Sequence, residues 1–129
     1  MAYSIITNKG KEKIIKARAG VISTVPAITK MAFGDGAISG GTVREPLPTD
    51  TALQNQLLQQ NIDSATVLSD NISAEYLCTL AEATLAGEVI NEIGLVDADN
   101  DLVAIKVFES DKGKDADMKM TFTVTDQFD

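Results

Sequence analysis

The stretch EVINEIGLVDADNDLVAIKVF, residues 88–108, decides how the rest of the chain is read. Two runs rich in Val, Ile and Leu flank the acidic pentapeptide 97–101, the sequence form of a β-hairpin with a short loop. Apolar residues occupy both alternation phases of each run: Val89, Ile93 and Leu95 with Ile90 and Val96, then Val103, Ile105 and Val107 with Leu102 and Ala104. A hairpin so patterned is covered on both faces and lies near the core. Asn100 stands where the loop needs a residue tolerant of positive φ.

Outward from the hairpin, the C-terminal run alternates cleanly. Met118, Met120, Phe122 and Val124 interleave with Lys119, Thr121, Thr123 and Thr125, giving a strand with one inward and one wet face. Residues 110–117 read as a charged loop with Gly113 at its tip. On the other side, residues 72–80 alternate as a strand while 74–85 also fit a helix. The breaks at 69–71 and Gly87 favour the strand. Further upstream, Thr49 or Asp50 caps an expected helix to Gln60, with Leu53, Leu57 and Leu58 as its apolar stripe and Thr51 and Gln54 at capping-box spacing. Residues 27–33 form an expected strand ending at the turn Gly34, Asp35, Gly36. A first helix follows an extended arm at 3–7, with Asn8 as N-cap and Gly20 as the αL residue at its end. The whole reads as one domain over residues 1–129: a β-rich α+β fold with two helices in the N-terminal half and a central β-hairpin.

Composition excludes several functions. The 129 residues are 44% hydrophobic and 23% charged, which opposes wholesale disorder. A net charge of −8 lacks the basic footprint of a nucleic-acid binder. No run approaches the roughly 20 apolar residues of a membrane helix. The absence of histidine removes Ser-His and Cys-His catalysis and every His-containing zinc site. Cys78, the single cysteine, sits among apolar neighbours and reads as a small buried hydrophobe.

Four constellations are candidate sites. Gly34-Asp35-Gly36 fails as a dinucleotide loop because Ser39 stands where the third glycine is required. Asp97, Asp99 and Asp101 match positions one, three and five of a calcium loop, but Leu102 and Phe108 occupy the positions of its glycine and its glutamate, so the run reads as an exposed acidic turn. Asp99 with Glu109 is a carboxylate pair that any of nineteen acids could supply. Residues 1–20 hold five cations and one anion, a net +4 that leaves −12 for the remainder. Within them Lys9, Lys13 and Lys16 share one helical face, which reads either as a solvated face or as a patch for an acidic partner, including another copy's acidic end.

Taken in order, Met31-Ala32-Phe33-Gly34-Asp35-Gly36, then Pro48, Thr51, Leu53 and Asn55, then Glu92-Ile93-Gly94-Leu95-Val96-Asp97-Ala98-Asp99 resemble the N-terminal domain of phage tail fibre (tail-collar fibre) proteins. Thr7-Asn8-Lys9-Gly10 is similar to the opening of that family, and Asn100 departs from the glycine usual there. The resemblance marks Gly34, Asp35, Gly36, Glu92, Ile93, Gly94, Leu95 and Asp97 as signature positions. It implies a virion component, synthesised in the host cytoplasm, that attaches a tail fibre to the baseplate of a contractile-tailed phage or phage-like bacteriocin. The implied partners are a baseplate protein, a tail fibre protein and further copies of the chain, a trimer being favoured. It implies no catalysis, cofactor or metal. The chain is then either a short adaptor or the ordered part of a longer fibre. The alternative reading, a small receptor- or carbohydrate-binding module, meets a chain without tryptophan and with only two tyrosines and four phenylalanines.

Overall fold

The computed structural model describes residues 3–127, so the outermost residues of the expected 1–129 domain lie outside the described residues. Ten strands and one helix follow in the order β1 (Tyr3–Ile6), α1 (Asn8–Arg18), β2 (Ile28–Gly34), β3 (Ile38–Ser39), β4 (Thr42–Val43), β5 (Gln56–Asn61), β6 (Ser64–Val67), β7 (Ser73–Leu80), β8 (Val89–Asp97), β9 (Leu102–Gly113) and β10 (Met120–Gln127). An antiparallel sheet of order β1-β9-β8-β2-β5 places the expected hairpin at its centre. A second sheet runs β10-β7-β6, and β3 and β4 form a two-residue ribbon.

Because β8 is buried along its length apart from Val89, it carries a core on each face. On one, Met31, Phe33, Ile93 and Leu95 meet Cys78, Leu80, Phe122 and Val124 of the second sheet, with the Phe33 and Phe122 rings 5.2 Å apart. On the other, Ala32, Val96, Leu102, Ile105 and Val107 are covered by Ala37, Leu53 and Val43 from the connection between β2 and β5. Apolar residues on both phases are thus explained by two separate clusters. The turn joining β8 to β9 holds Asn100 at φ 67, the left-handed conformation expected of it.

The expected second helix is overturned: one helix is present among the described residues, and the fold is mainly β. Residues 51–55 are irregular, and β5 then pairs with β2, Leu58 opposite Phe33 and Gln60 opposite Met31. The leucine stripe of 53–58 mimicked a helical face, but its members serve different cores. Leu53 packs under one face of the sheet and Leu58 against the other. The amides of Gln54 and Asn55, which a helix would direct at carbonyls four residues back, are taken by a side chain from β8.

Three smaller expectations also change. Thr7 rather than Asn8 caps α1, its hydroxyl accepting from the Gly10 amide at 3.2 Å while it donates to the Leu102 carbonyl. The charged segment 110–117 is not all loop, since β9 continues to Gly113, which pairs with Val89. The strand reading of 72–80 holds as β7, and Gly20 closes α1 at φ 77.

Candidate functional site

Four of the eight positions marked by the resemblance, Gly34, Asp35, Gly36 and Glu92, meet in one assembly. A register shift between Ile90 and Glu92 marks a bulge in β8, and both Asn91 and Glu92 serve the same pair of loops. The Glu92 carboxylate, only 1% exposed, accepts hydrogen bonds from the amides of Gly36 (2.8 Å), Gln54 (2.8 Å) and Asn55 (2.9 Å). Beside it the Asn91 side chain accepts from the Ala37 amide and donates to the Asp35 carbonyl and the Asp111 carboxylate. Asp35 in turn accepts from the Asn55 side-chain amide at 2.7 Å. The loops 34–37 and 53–55 are therefore fastened to one strand by backbone groups that the sheets leave unpaired.

This crowding explains the glycines. A Cβ on Gly34 would lie 2.5 Å from the Asn55 carbonyl oxygen and 2.6 Å from the Glu92 carboxylate, and one on Gly36 would lie 2.6 Å from the Asn55 nitrogen. A Cβ on Gly94 would collide with the Leu102 side chain. Backbone amides that a phosphate loop would offer outward are turned inward here, onto Glu92. Ile93 and Leu95 point to the opposite face, into the core shared with the second sheet.

The last signature residue, Asp97, builds a second assembly where α1 meets the hairpin. One oxygen of Asp97 accepts from the amides of Asp99 and Asp101, both at 3.0 Å, and so shapes the turn. The other accepts from the Lys13 ammonium, which also donates to Asp101 at 2.7 Å and Asp99 at 3.3 Å. Ligand oxygens of the three acids lie within 4.8 Å of one another, a cluster able to hold a cation, and the Lys13 ammonium is seated among them. Burial works against the charged lysine, but the hydrogen bonds to Asp101, Asp97 and Asp99 outweigh it and hold Lys13 above the ordinary lysine range. With its folded value raised, this lysine's contribution to stability is complete below the ordinary lysine range and is lost only as pH climbs through the raised value.

The expected patch of Lys9, Lys13 and Lys16 is consequently divided. Lys13 turns to the hairpin, while Lys9 (3.3 Å) and Lys16 (2.8 Å) flank Glu12 on the outer side of α1. The carboxylate pair is not assembled either: Asp99 lies in the turn and Glu109 roughly 20 Å along β9, at about 3.3 Å per residue. Cys78 is buried, accepts from the Gln60 amide at 3.1 Å, and has its thiol pushed up by burial, which keeps it protonated.

Two features carried no signal in the sequence. Lys114 is buried and donates to the carbonyls of Glu82 (2.7 Å) and Asp115 (2.9 Å), tying the 81–88 connection to the end of β9. Arg44 and Asp50 form a two-pronged pair at 2.9 and 3.0 Å that closes the loop over the second core. An open concavity of about 410 Å³ separates the edges of β1 and β10, with Lys106 and Asp126 among its lining residues. Burial pushes the Asp126 carboxyl up.

Every buried side-chain nitrogen and oxygen among the described residues has a partner. The polar groups around Glu92 and Asp97 converge on the protein's own loops and helix. Residues 1–126 match the family Phage tail-collar fibre protein, N-terminal. No curated protein and no solved structure matches the chain.

Proposed function

We propose, from the premise that this chain belongs to the phage tail-collar fibre protein family and is a structural component of the phage tail, that it joins a tail fibre to the baseplate. The particle is a contractile-tailed phage or a phage-like bacteriocin. The chain folds in the host cytoplasm, associates with further copies of itself, a trimer being favoured, and is built into the tail through contacts with a baseplate protein, a fibre protein or both. The observation that carries this reading is the use of the family's signature residues. Glu92 with Gly34 and Gly36, and Asp97 with Lys13, fasten loops and helix to a central hairpin. Such a body holds its shape under load and leaves its outer surfaces for other proteins.

The test mixes the purified chain with isolated fibre and baseplate proteins and measures mass by light scattering. A stable complex with either partner, and a free form of three copies, is the expected result. A monomer that binds neither protein overturns the proposal.

A further inference from the structure

Once the lysines of α1 are sorted by partner, a different face of the helix is left facing outward. Among the described residues Lys11 and Arg18 make no ion pair, and they flank Ile15, which is 59% exposed. Spacings of four and three residues put the three on one side of the helix. With Lys9 and Lys16 sharing the single acid Glu12, the outer side carries four cations against one anion around an apolar centre.

The opposite end of the molecule has the inverse character. Helix α1 sits over the start of β9, where the Thr7 amide donates to the Val103 carbonyl, whereas Gly113 ends that strand roughly 36 Å away at about 3.3 Å per residue. Around that far end Glu82, Glu88, Asp115 and Asp117 are exposed and, among the described residues, unpaired in ion contacts. Val89, 36% exposed, lies beside Glu88. Each end is an apolar centre with a charged rim, basic at α1 and predominantly acidic at the far end, where Lys112, turned to Ser110, and Lys119 are outnumbered by the four acids. The separation is several times the roughly 8 Å screening length at physiological salt, so neither end neutralises the other within one molecule.

We propose that the outer face of α1, centred on Ile15 with Lys11 and Arg18, docks on the acidic end of a second copy of the chain around Val89. The second copy is the occupant because, in a chain of net charge −8, the basic face and the acidic end are complementary in charge and each carries an apolar centre. The contact is head-to-tail, so each copy uses one end to give and the other to receive, and it closes into a ring where the rotation per copy permits. This deepens the self-association in the proposed function and rests on it.

Sedimentation of the purified chain at low and high salt tests the inference. Association should weaken tenfold or more at high salt, and as much in Lys11→Glu/Arg18→Glu and in Glu82→Lys/Glu88→Lys, all four residues being exposed. An equimolar mixture of the two reversed variants should recover association, because one then offers two acidic ends and the other two basic ends. Ile15→Ser and Val89→Ser, which leave charge untouched, should each weaken it severalfold. The inference is overturned by a chain monomeric at all salts, by association indifferent to salt, by reversed variants that associate like the parent, or by a mixture that stays apart. A chain that remains monomeric yet binds fibre or baseplate protein overturns this inference and leaves the attachment role standing.

Discussion

Glu92 and Lys13 do the same mechanical task on one hairpin with opposite chemistry. Glu92 is 1% exposed and its hydrogen-bond partners are three neutral backbone amides. The Lys13 side chain is 11% exposed, and of its three charged partners Asp97 is buried while Asp101 is 41% and Asp99 60% open to water. In the dry assembly, removing the amides strands a carboxylate that water cannot reach. At the wet rim, water and salt take over much of what an absent partner supplied. The loops held by Glu92 are therefore part of the fold, while the helix held by Lys13 is an attachment whose strength depends on the medium.

Substitutions can break that contrast, beginning with the dry assembly. Gly34→Val places a side chain against the Asn55 carbonyl, a backbone atom that cannot rotate away, and should destabilise by more than about 3 kcal/mol in urea unfolding. Gly94→Val meets only the movable end of Leu102 and should lose about 1–3 kcal/mol. Equal losses would mean that backbone crowding at Gly34 is not what makes the assembly rigid. Glu92→Ala, which orphans three amides, should lose about 3 kcal/mol, with the loss unchanged by salt. A strongly salt-dependent loss there would erase the distinction between the two assemblies.

At the rim the effects are smaller. Lys13→Met should lose about 1–2 kcal/mol at low salt and less at high salt, since two of its three partners, Asp99 and Asp101, are largely solvated and only Asp97 is buried. Hydrogen exchange should then rise in α1 before it rises in β8. Smallest of all is the Arg44–Asp50 pair. The Arg44 hydrogen bond holds the Asp50 carboxyl below its ordinary value, so the stability it adds is present above the ordinary carboxylate range and lost as pH falls through the lowered value. Arg44 is more than a third exposed, so Arg44→Ala should remove less than about 1 kcal/mol and flatten the acid limb of a stability-against-pH curve. An acid limb unaltered by Arg44→Ala would assign it to other carboxylates.

Much of the strand framework was legible because its signals are local. Alternation in 118–124 and doubled apolar phases in 89–107 report which faces are covered, and Asn100 and Gly20 report backbone angles that few residues adopt. Membership of the family was legible as well, yet what Glu92 and Asp97 do in the fold was not. Residues 50–60 looked helical because leucines spaced for one face are also leucines spaced for two cores, and local periodicity cannot say which. The lysine face failed for a related reason: Lys9, Lys13 and Lys16 share a side of the helix, but Lys13 stands where that side turns towards the hairpin.

The sequence by itself determined the central hairpin, its turn, the alternating C-terminal strand, the first helix and the membership of a tail-fibre family, all carried by residues near one another in the chain. Tertiary structure alone decided that residues 56–61 pair as a strand, that Glu92 holds amides 37 to 56 positions away, and that Lys13 answers to acids 84 to 88 positions distant. Those choices turn on which donors and charges would otherwise be buried without partners, and that is settled only when remote segments have packed.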